Sequence, residues 1–198
     1  MKVIRHCALA VCMSLAAMAA SPALAGWKLM PAGQAADLAG IVVTPRIDWN
    51  QASGRPGKQG RIWTRDGFGL NGLEFFAAVP GGQPLYRERS KKRNPMPKFD
   101  KTMLLPDLAD FFERSFRANY QLSDFTVLES GPASLGSHPG LRLRYRYTLA
   151  NDDLVRLGEA RLAAAKGKLY VANYYAPELH YFAANLAEAT GMMDSARF

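Results

Sequence analysis

The sequence is poor in cysteine and histidine, which limits the disulfides and metal sites that the protein can form. Its 198 residues include two cysteines, Cys7 and Cys12, and both lie among the first 25 residues. Two of its three histidines, His138 and His180, follow that segment. A chain of this composition has no disulfide framework after residue 25, and two separated histidines do not make an ordinary zinc site. We therefore predict no bound metal, and no motif in the sequence predicts a cofactor.

The sequence also has no apolar run of membrane-spanning length. Its longest apolar stretch covers residues 8–20 and follows the basic residues Lys2 and Arg5. This is shorter than the roughly 20 residues that a transmembrane helix needs. Ala23-Leu24-Ala25 then provides the small-residue pattern that signal peptidase recognises. We predict a signal peptide at residues 1–25, cleavage after Ala25, and export to the periplasm.

A lipid anchor is the alternative for the same segment. Leu9-Ala10-Val11-Cys12 loosely resembles a lipobox, whose cysteine becomes acylated. Valine directly before the cysteine fits that motif poorly, and apolar residues continue after it. We favour cleavage after Ala25 over lipid anchoring through Cys12.

The remaining chain suits one domain. It has the size to form a hydrophobic core without disulfides or metals. We predict a loose leader at residues 26–40, helical or irregular near 35–38, and a single domain at 41–198. Patterning within that domain predicts two helices, at 105–120 and from Pro177 onwards, a loop at 131–140, and strands at 41–44, 61–65, 70–79, 125–128, 141–149, 154–164 and 169–175. A tight turn at Asp66-Gly67 would join the second and third strands. This order predicts an α+β fold, a mostly antiparallel sheet with flanking helices.

Residues 141–149 alternate strictly between apolar and basic side chains. Leu141, Leu143, Tyr145 and Tyr147 would face the core, while Arg142, Arg144 and Arg146 form a cationic stripe on the other face. Pairing with Glu159 or neighbouring acids is the simpler explanation of this stripe. Binding of an anionic ligand is the alternative.

Several aromatic residues are candidates for either core packing or a ligand groove. They are Trp49, Trp63, Tyr170, Tyr174, Tyr175, Tyr181 and Phe182. Aromatic residues at the junctions of strands and helices more often belong to the core. We favour the core.

No set of residues forms a catalytic signature. Residues 67–72 match G-x-G-x-x-G, but the segment that follows is typical of a strand, not of the helix that a dinucleotide site needs. Ser134 lacks the first glycine of a nucleophile elbow. We predict that the protein is not an enzyme. The alternative is a hydrolase with a dispersed site, with His138 or His180 as the base and a nearby serine or carboxylate as its partner.

Positive charge is concentrated in residues 87–101, which we call the basic loop. Without Lys2 and Arg5 the chain has 23 basic and 17 acidic residues, a net charge of +6. The basic loop contributes +5 of this through two acids and seven cations: Arg87, Arg89, Lys91, Lys92, Arg93, Lys98 and Lys101. Pro95 and Pro97 disfavour regular structure, so the cations should be exposed and mobile.

An exposed cluster of cations attracts anionic partners. Export argues against nucleic acid and favours an anionic membrane surface or an acidic envelope protein as the partner. The simpler alternative is a solvated charge run that aids solubility. No partner is identified by the sequence itself.

Residues 41–198 resemble a set of proteobacterial exported envelope proteins of uncharacterised function. The motifs that carry this resemblance are Trp49-Asn50, Trp63-Thr64-Arg65-Asp66-Gly67, Leu73-Glu74-Phe75, Lys168-Leu169-Tyr170 and Ala176-Pro177-Glu178-Leu179-His180-Tyr181-Phe182. The order of elements is similar to the PsbP/Mog1-like fold, a sheet flanked by helices that serves as an accessory or binding module. The resemblance implies that fold and a non-catalytic accessory or binding role, with no family active site to transfer.

Overall fold

The structure is a computed structural model that describes residues 26–90, 92 and 95–198. The predicted signal peptide, with Cys12, lies outside these residues. Two helices and ten strands occur in the described part of the chain: β1 (Trp27–Met30), β2 (Ala36–Asp37), β3 (Val42–Val43), β4 (Trp49–Ala52), β5 (Gly60–Thr64), β6 (Gly72–Pro80), α1 (Leu105–Tyr120), β7 (Leu122–Leu135), β8 (His138–Leu149), β9 (Asp152–Ala165), β10 (Lys168–Pro177) and α2 (Tyr181–Ser195).

Eight strands form one antiparallel sheet in the order β1-β4-β5-β6-β10-β9-β8-β7, and β2 pairs with β3. Helix α1 contributes Phe111, Phe112 and Phe116 to a buried cluster on one face of this sheet. Helix α2 contributes Phe182 and Met193 to a second cluster on the other face. We call these the α1 face and the α2 face. The predicted α+β fold, an antiparallel sheet with flanking helices, is confirmed.

Helix α1 has the bounds that its sequence predicts. Leu108, Phe112 and Phe116 recur on one side and are buried against the sheet. Asp107 in the first turn accepts a hydrogen bond from the Leu104 backbone N–H at 2.9 Å, which satisfies a donor that the helix leaves unpaired. The helix ends at Tyr120, and the next residue, Gln121, has a left-handed φ of 53°.

The alternation predicted for residues 141–149 is also confirmed. Leu141, Leu143, Tyr145 and Tyr147 are buried on the α1 face. The arginines between them are partly or fully exposed on the α2 face. This strand is therefore apolar on the α1 face and basic on the α2 face, the alternation typical of an antiparallel strand with one packed face.

The segment predicted to be a loose leader contains two short strands, with irregular chain between and after them and no helix. Trp27–Met30 pairs with Trp49–Ala52 at the edge of the sheet, and Ala36–Asp37 pairs with Val42–Val43. Ala36 and Leu38 are buried in the cluster of the α2 face. Burial against distant residues fixes this segment, although its own sequence shows little periodicity.

The loop predicted at residues 131–140 is wrong, because these residues belong to the long hairpin of β7 and β8. Pro132 lies on the edge strand β7, where a proline without an N–H is tolerated. The chain reverses at Gly136, whose φ is 56° and whose N–H donates to the Met193 carbonyl oxygen at 2.8 Å. A Cβ there would lie 1.8 Å from the Ala196 carbonyl oxygen, so this close approach to the end of α2 requires glycine.

Two further boundaries differ from the sequence prediction. Pro177 ends β10, and α2 begins at Tyr181.

The connection between β5 and β6 covers residues 65–71, which is longer than the tight turn predicted at Asp66-Gly67. Buried Asn71 organises this connection: its Oδ1 accepts hydrogen bonds from Thr64 Oγ1 at 2.7 Å and the Arg65 N–H at 2.9 Å, and its Nδ2 donates to Asp66 at 2.6 Å. The short polar side chain therefore replaces the backbone pairing that a tight turn would provide.

Candidate ligand-binding cleft

The basic loop lies in the connection between β6 and α1 and is anchored to the α1 face. Leu85, Tyr86, Met96 and Phe99 of this connection are buried. The Gly82 N–H donates to the Phe99 carbonyl oxygen at 2.7 Å, and the Phe99 N–H donates to Gln83 at 2.9 Å. Buried side chains on both sides of the cations therefore hold this loop against the domain.

The structure describes five of the seven cations in the basic loop. Arg87, Arg89, Lys92, Lys98 and Lys101 are exposed, as their sequence predicts. Lys91 and Arg93 lie outside the described residues.

Two arginines of the basic loop lie on the same groove as an arginine from another loop. The Arg87 backbone N–H donates to the Pro56 carbonyl oxygen at 2.8 Å, which joins the basic loop to residues 53–59. Arg55, Arg87 and Arg89 then line a groove of about 440 Å³, together with residues that include Phe68 and Tyr120. We call this the arginine groove. All three arginines are exposed, so their charges are accessible to a ligand.

A second cavity of about 270 Å³ adjoins this groove on the α1 face. We call it the tyrosine pocket, and it is lined by Ile62, Phe68, Gly69, Tyr120, Tyr147, Leu149, Arg156 and Tyr175. Ile62, Phe68 and Tyr120 line both cavities, so the two adjoin at these side chains. Together they form the cleft.

A buried carboxyl group, Glu74, lies beneath this part of the sheet. Its Oε2 accepts hydrogen bonds from Tyr86 Oη at 2.7 Å and Asn173 Nδ2 at 3.1 Å. Its Oε1 accepts a hydrogen bond from Tyr120 Oη at 2.6 Å. The Tyr120 and Tyr175 hydroxyl oxygens lie 2.7 Å apart, and Tyr145 Oη donates to Asn173 Oδ1 at 2.7 Å. A single network therefore connects Glu74 to two tyrosines of the pocket, and it satisfies the polar groups whose burial would otherwise be costly.

Two glycines make room for the tyrosine rings on the α1 face. Gly72 lies opposite Tyr175 on the neighbouring strand, and a Cβ there would be 2.4 Å from the Tyr175 Cζ. Gly158 lies opposite Tyr145, and a Cβ there would be 2.1 Å from the Tyr145 Cζ. Each ring therefore lies across the adjacent strand at a position that has no side chain.

The environment favours the neutral forms of the groups in this network. Burial raises the pKa of the Glu74 carboxyl, and hydrogen bonds from Tyr120, Tyr86 and Asn173 offset part of that rise. Burial, and then the charge of Glu74, raise the pKa of the Tyr120 and Tyr86 hydroxyls. These tyrosines therefore remain hydrogen-bond donors and acceptors at neutral pH.

Arg156 places a fixed guanidinium on the wall of the tyrosine pocket. It forms an ion pair with Asp152, and its Nη1 donates to the Leu154 carbonyl oxygen at 3.0 Å. Its side chain is 10% exposed. These contacts hold the guanidinium in place within a lining that is otherwise mainly apolar.

Exposed aromatic rings mark the rim of the cleft. Phe68, which lines both cavities, is 40% exposed and stacks on Trp27 with ring centroids 5.0 Å apart. Trp27 is 47% exposed, whereas Trp49 and Trp63 are fully buried. Exposed apolar rings beside a concave site are typical of ligand contact.

The histidines that the sequence offered for catalysis are far apart. His138 begins β8 at the end of the sheet where Lys168 pairs with Ala165, while His180 follows β10 at the end where Pro177 pairs with Arg156. The His138 ring stacks on Phe198, with centroids 4.2 Å apart, and its buried Nδ1 has no hydrogen-bond partner among the described residues. His180 is exposed directly before α2. Neither histidine lines the cleft.

The arginine stripe on β8 has local partners. Arg142 forms an ion pair with Glu129 on β7, and the Arg144 guanidinium lies 5.5 Å from the centre of the Phe182 ring. Arg144 is opposite Glu159 in the sheet, but Glu159 pairs with Arg161 at 3.7 Å. Pairing with neighbouring acids, the simpler explanation from the sequence, is confirmed for Arg142.

No group of three or more histidine, cysteine, aspartate or glutamate side chains in the described ranges could hold a metal ion. Neither of the two described helices is long and apolar enough to cross a membrane.

Sequence reasoning missed most of the cleft. Glu74 and Asn173 meet across β6 and β10 although they are 99 residues apart in the chain. Of the aromatic residues considered for a groove, Tyr175 lines the cleft, while Trp49, Trp63, Tyr174 and Phe182 are buried in the cluster of the α2 face. The one available signal was a lone carboxylate, Glu74, within an apolar strand.

Comparison with known proteins supports the fold. No family model matches the chain, and no curated protein does either. The solution structure of cyanobacterial PsbP (CyanoP) from Synechocystis sp. PCC 6803 matches with a TM-score of 0.52 and 12% sequence identity, covering 88% of this chain and 93% of that one. LpqN, described as involved in cell envelope biogenesis of Mycobacterium tuberculosis, matches with a TM-score of 0.34 and 12% identity over 87% of this chain and 78% of its own. The match to CyanoP shows that the chain has the PsbP-like fold that its order of elements predicts.

Proposed function

We propose that this protein is an exported, non-catalytic accessory domain of the cell envelope that binds an anionic partner. The observation that carries the proposal is the convergence of Arg55 with Arg87 and Arg89 along one groove. Cations from two separate loops share this groove, and anchoring of the basic loop reduces the entropy that binding must overcome. We take an anionic membrane surface as that partner.

The test is co-sedimentation with vesicles that contain anionic phosphatidylglycerol, compared with neutral phosphatidylcholine vesicles. At low salt, the protein should bind the anionic vesicles, because each well-placed cation contributes about 1 kcal/mol near such a surface. The attraction should weaken towards physiological salt, where the screening length is about 8 Å. Replacement of Arg55, Arg87 and Arg89 by glutamine should lower the vesicle affinity roughly a hundredfold at low salt, by the same estimate.

A charge-matched variant controls for net charge. Arg114, Arg146 and Arg197 are exposed and lie outside the basic loop and the cleft, so their replacement by glutamine removes the same charge elsewhere. This variant should bind the vesicles nearly as well as the unmodified protein. Absence of binding at low salt, insensitivity to salt, or equal losses in the two variants would contradict the proposal.

A further inference from the structure

The cleft combines a cationic half with an apolar half. The arginine groove presents three exposed guanidinium groups, whereas the tyrosine pocket is lined mainly by Ile62, Leu149 and aromatic rings. The two halves share Ile62, Phe68 and Tyr120, so one ligand can contact both. A simple anion would use only the groove, and an apolar molecule would use only the pocket.

We propose that the cleft binds an anionic amphiphile, with its acidic group among Arg55, Arg87 and Arg89 and its apolar body in the tyrosine pocket. This inference rests on the proposed anion-binding function and names the chemistry of the ligand. Guanidinium groups match phosphate and carboxylate oxygens, because their N–H donors are arranged for two parallel hydrogen bonds. The acidic group is the part that the groove would select.

The size of the cleft fits such a ligand. The groove of about 440 Å³ lies within the range of small-molecule sites, roughly 300–1,000 Å³, and the pocket adds about 270 Å³ beside it. A lone phosphate would leave the pocket empty. The stacked Phe68 and Trp27 rings at the rim extend the apolar surface that a chain or a ring would contact.

The walls of the pocket are held by contacts within the protein. Tyr120 and Tyr175 are held by the hydrogen bonds that connect them to Glu74, and Gly72 leaves the space that the Tyr175 ring occupies. Arg156 is fixed by Asp152. A ligand therefore binds without first ordering these side chains, which favours specific binding over adsorption to a soft apolar patch.

The first experiment is a titration of the protein with butyl, hexyl, octyl and decyl phosphate below their micelle concentrations. Affinity should rise by about fourfold per methylene, the value expected for burial of that group, and should level off when the pocket is full. Inorganic phosphate and decyl maltoside, which lack the chain and the charge respectively, should each bind at least tenfold more weakly than decyl phosphate. Calorimetry gives the affinity. Trp27 gives a fluorescence signal, since it is the exposed tryptophan of the three and stacks on Phe68.

A second probe distinguishes two sources of the same chemistry. Decyl phosphate represents a lipid-like chain, and 2-naphthyl phosphate represents a soluble acid with an apolar ring. Tighter binding of decyl phosphate identifies a lipid-like ligand, and tighter binding of the naphthyl compound identifies a ring-bearing acid. Either result supports an anionic amphiphile. Equal affinity for both probes and for inorganic phosphate overturns it.

Variants test each half of the cleft. Gly69 lines the pocket, and a Cβ there would meet no atom within 4 Å, so Gly69→Leu should fold and obstruct the pocket. We expect this variant to weaken octyl phosphate binding about tenfold or more while inorganic phosphate binding stays unchanged, because Gly69 lines the pocket and not the groove. Gly131→Leu is the matched control, because Gly131 also has open space but lies on β7 outside the cleft. Equal effects of Gly69→Leu and Gly131→Leu would overturn the assignment of the apolar half.

The two proposals fail in different ways. Anionic vesicles that bind through the three groove arginines, with no chain-length dependence for alkyl phosphates, would overturn the amphiphile site and leave the proposed function intact. If the unmodified protein binds neither anionic vesicles nor alkyl phosphates, the proposed function and the amphiphile site are both overturned. Binding of alkyl phosphates that levels off with chain length, without vesicle binding, would support the amphiphile site and contradict a membrane surface as the partner.

Discussion

The two faces of the sheet bury their side chains in different ways. On the α2 face the cluster is apolar and includes Trp63 and Met193, and polar pairs such as Arg46–Glu188 lie at its margin. On the α1 face, polar groups occupy the interior: Glu74, Asn173 and several tyrosine hydroxyls form one network within an aromatic cluster. The cleft lies on this second face. The α1 face therefore combines a buried polar network with a shaped and partly polar cleft, whereas the α2 face packs a mainly apolar cluster.

The largest effect is expected from Gly158→Ala on the α1 face. The new Cβ would lie 2.1 Å from the Cζ of buried Tyr145, whose hydroxyl is held by Asn173. Because that ring has no space to move, the change should lower the free energy of unfolding by about 3 kcal/mol, at the upper end for overpacking. Denaturant unfolding measures it.

The control for this prediction is Gly131→Ala on the edge strand β7. A Cβ at Gly131 meets no atom within 4 Å, so its unfolding free energy should change by less than about 0.5 kcal/mol. Similar losses in both variants would show that the tyrosine layer is no tighter than the edge of the sheet.

A smaller effect is expected at the margin of the α2 face from Glu188→Ala. Glu188 accepts hydrogen bonds from the Arg46 backbone N–H at 2.6 Å and from its Nε at 3.0 Å. The Arg46 side chain is 69% exposed, so solvent screens the ion pair, and we expect a loss of about 1 kcal/mol. Arg46→Ala keeps the backbone hydrogen bond and should cost less. Thermal unfolding of both variants tests this order, and a larger loss in Arg46→Ala would contradict it.

How much the sequence predicts depends on the range of the interactions. Helix α1 and the alternation of β8 are predictable because their patterns are local, and the structure has both. The turn after β5 cannot be predicted from its local pattern, because the Asn71 side chain makes the hydrogen bonds that backbone pairing would otherwise make. The β7–β8 hairpin cannot be predicted locally either, because pairing with a long neighbouring strand outweighs the preference of Gly131 and Pro132 for a loop.

The cleft shows the same limit more strongly. The sequence predicts the exposure of Arg87 and Arg89, because a polar segment with two prolines favours a loop. It does not show that Arg55 lies on the same groove, or that Glu74 meets Asn173. Those contacts depend on which strands become neighbours, and that order follows from the whole chain.

The smallest change in the free energy of unfolding is expected from Glu74→Gln at acidic pH. The increase of this difference as the pH rises tests the polar interior of the α1 face. The Tyr120 and Tyr175 hydroxyls can each be donor or acceptor. A protonated Glu74 can therefore donate to Tyr120, which then donates to Tyr175. The glutamine amide would make the same hydrogen bond, so the variant imitates the protonated carboxyl. We expect nearly equal stabilities of the two proteins near pH 4, where this carboxyl is largely protonated in both states.

Burial raises the pKa of Glu74 in the folded protein, so its contribution to stability is present below the unfolded value of about 4.3 and is lost as pH rises through the folded pKa. The stability of Glu74→Gln relative to the unmodified protein should therefore increase from about pH 4 and level off above the folded pKa. Asp152→Asn is a control of opposite sign. Hydrogen bonds from Arg156 and the Leu154 N–H lower the pKa of Asp152, so its contribution is present at neutral pH and lost on acidification. Urea unfolding at several pH values measures both differences. A Glu74→Gln difference that falls with rising pH would mean that the three donors outweigh burial and that the α1 face holds a stabilised carboxylate.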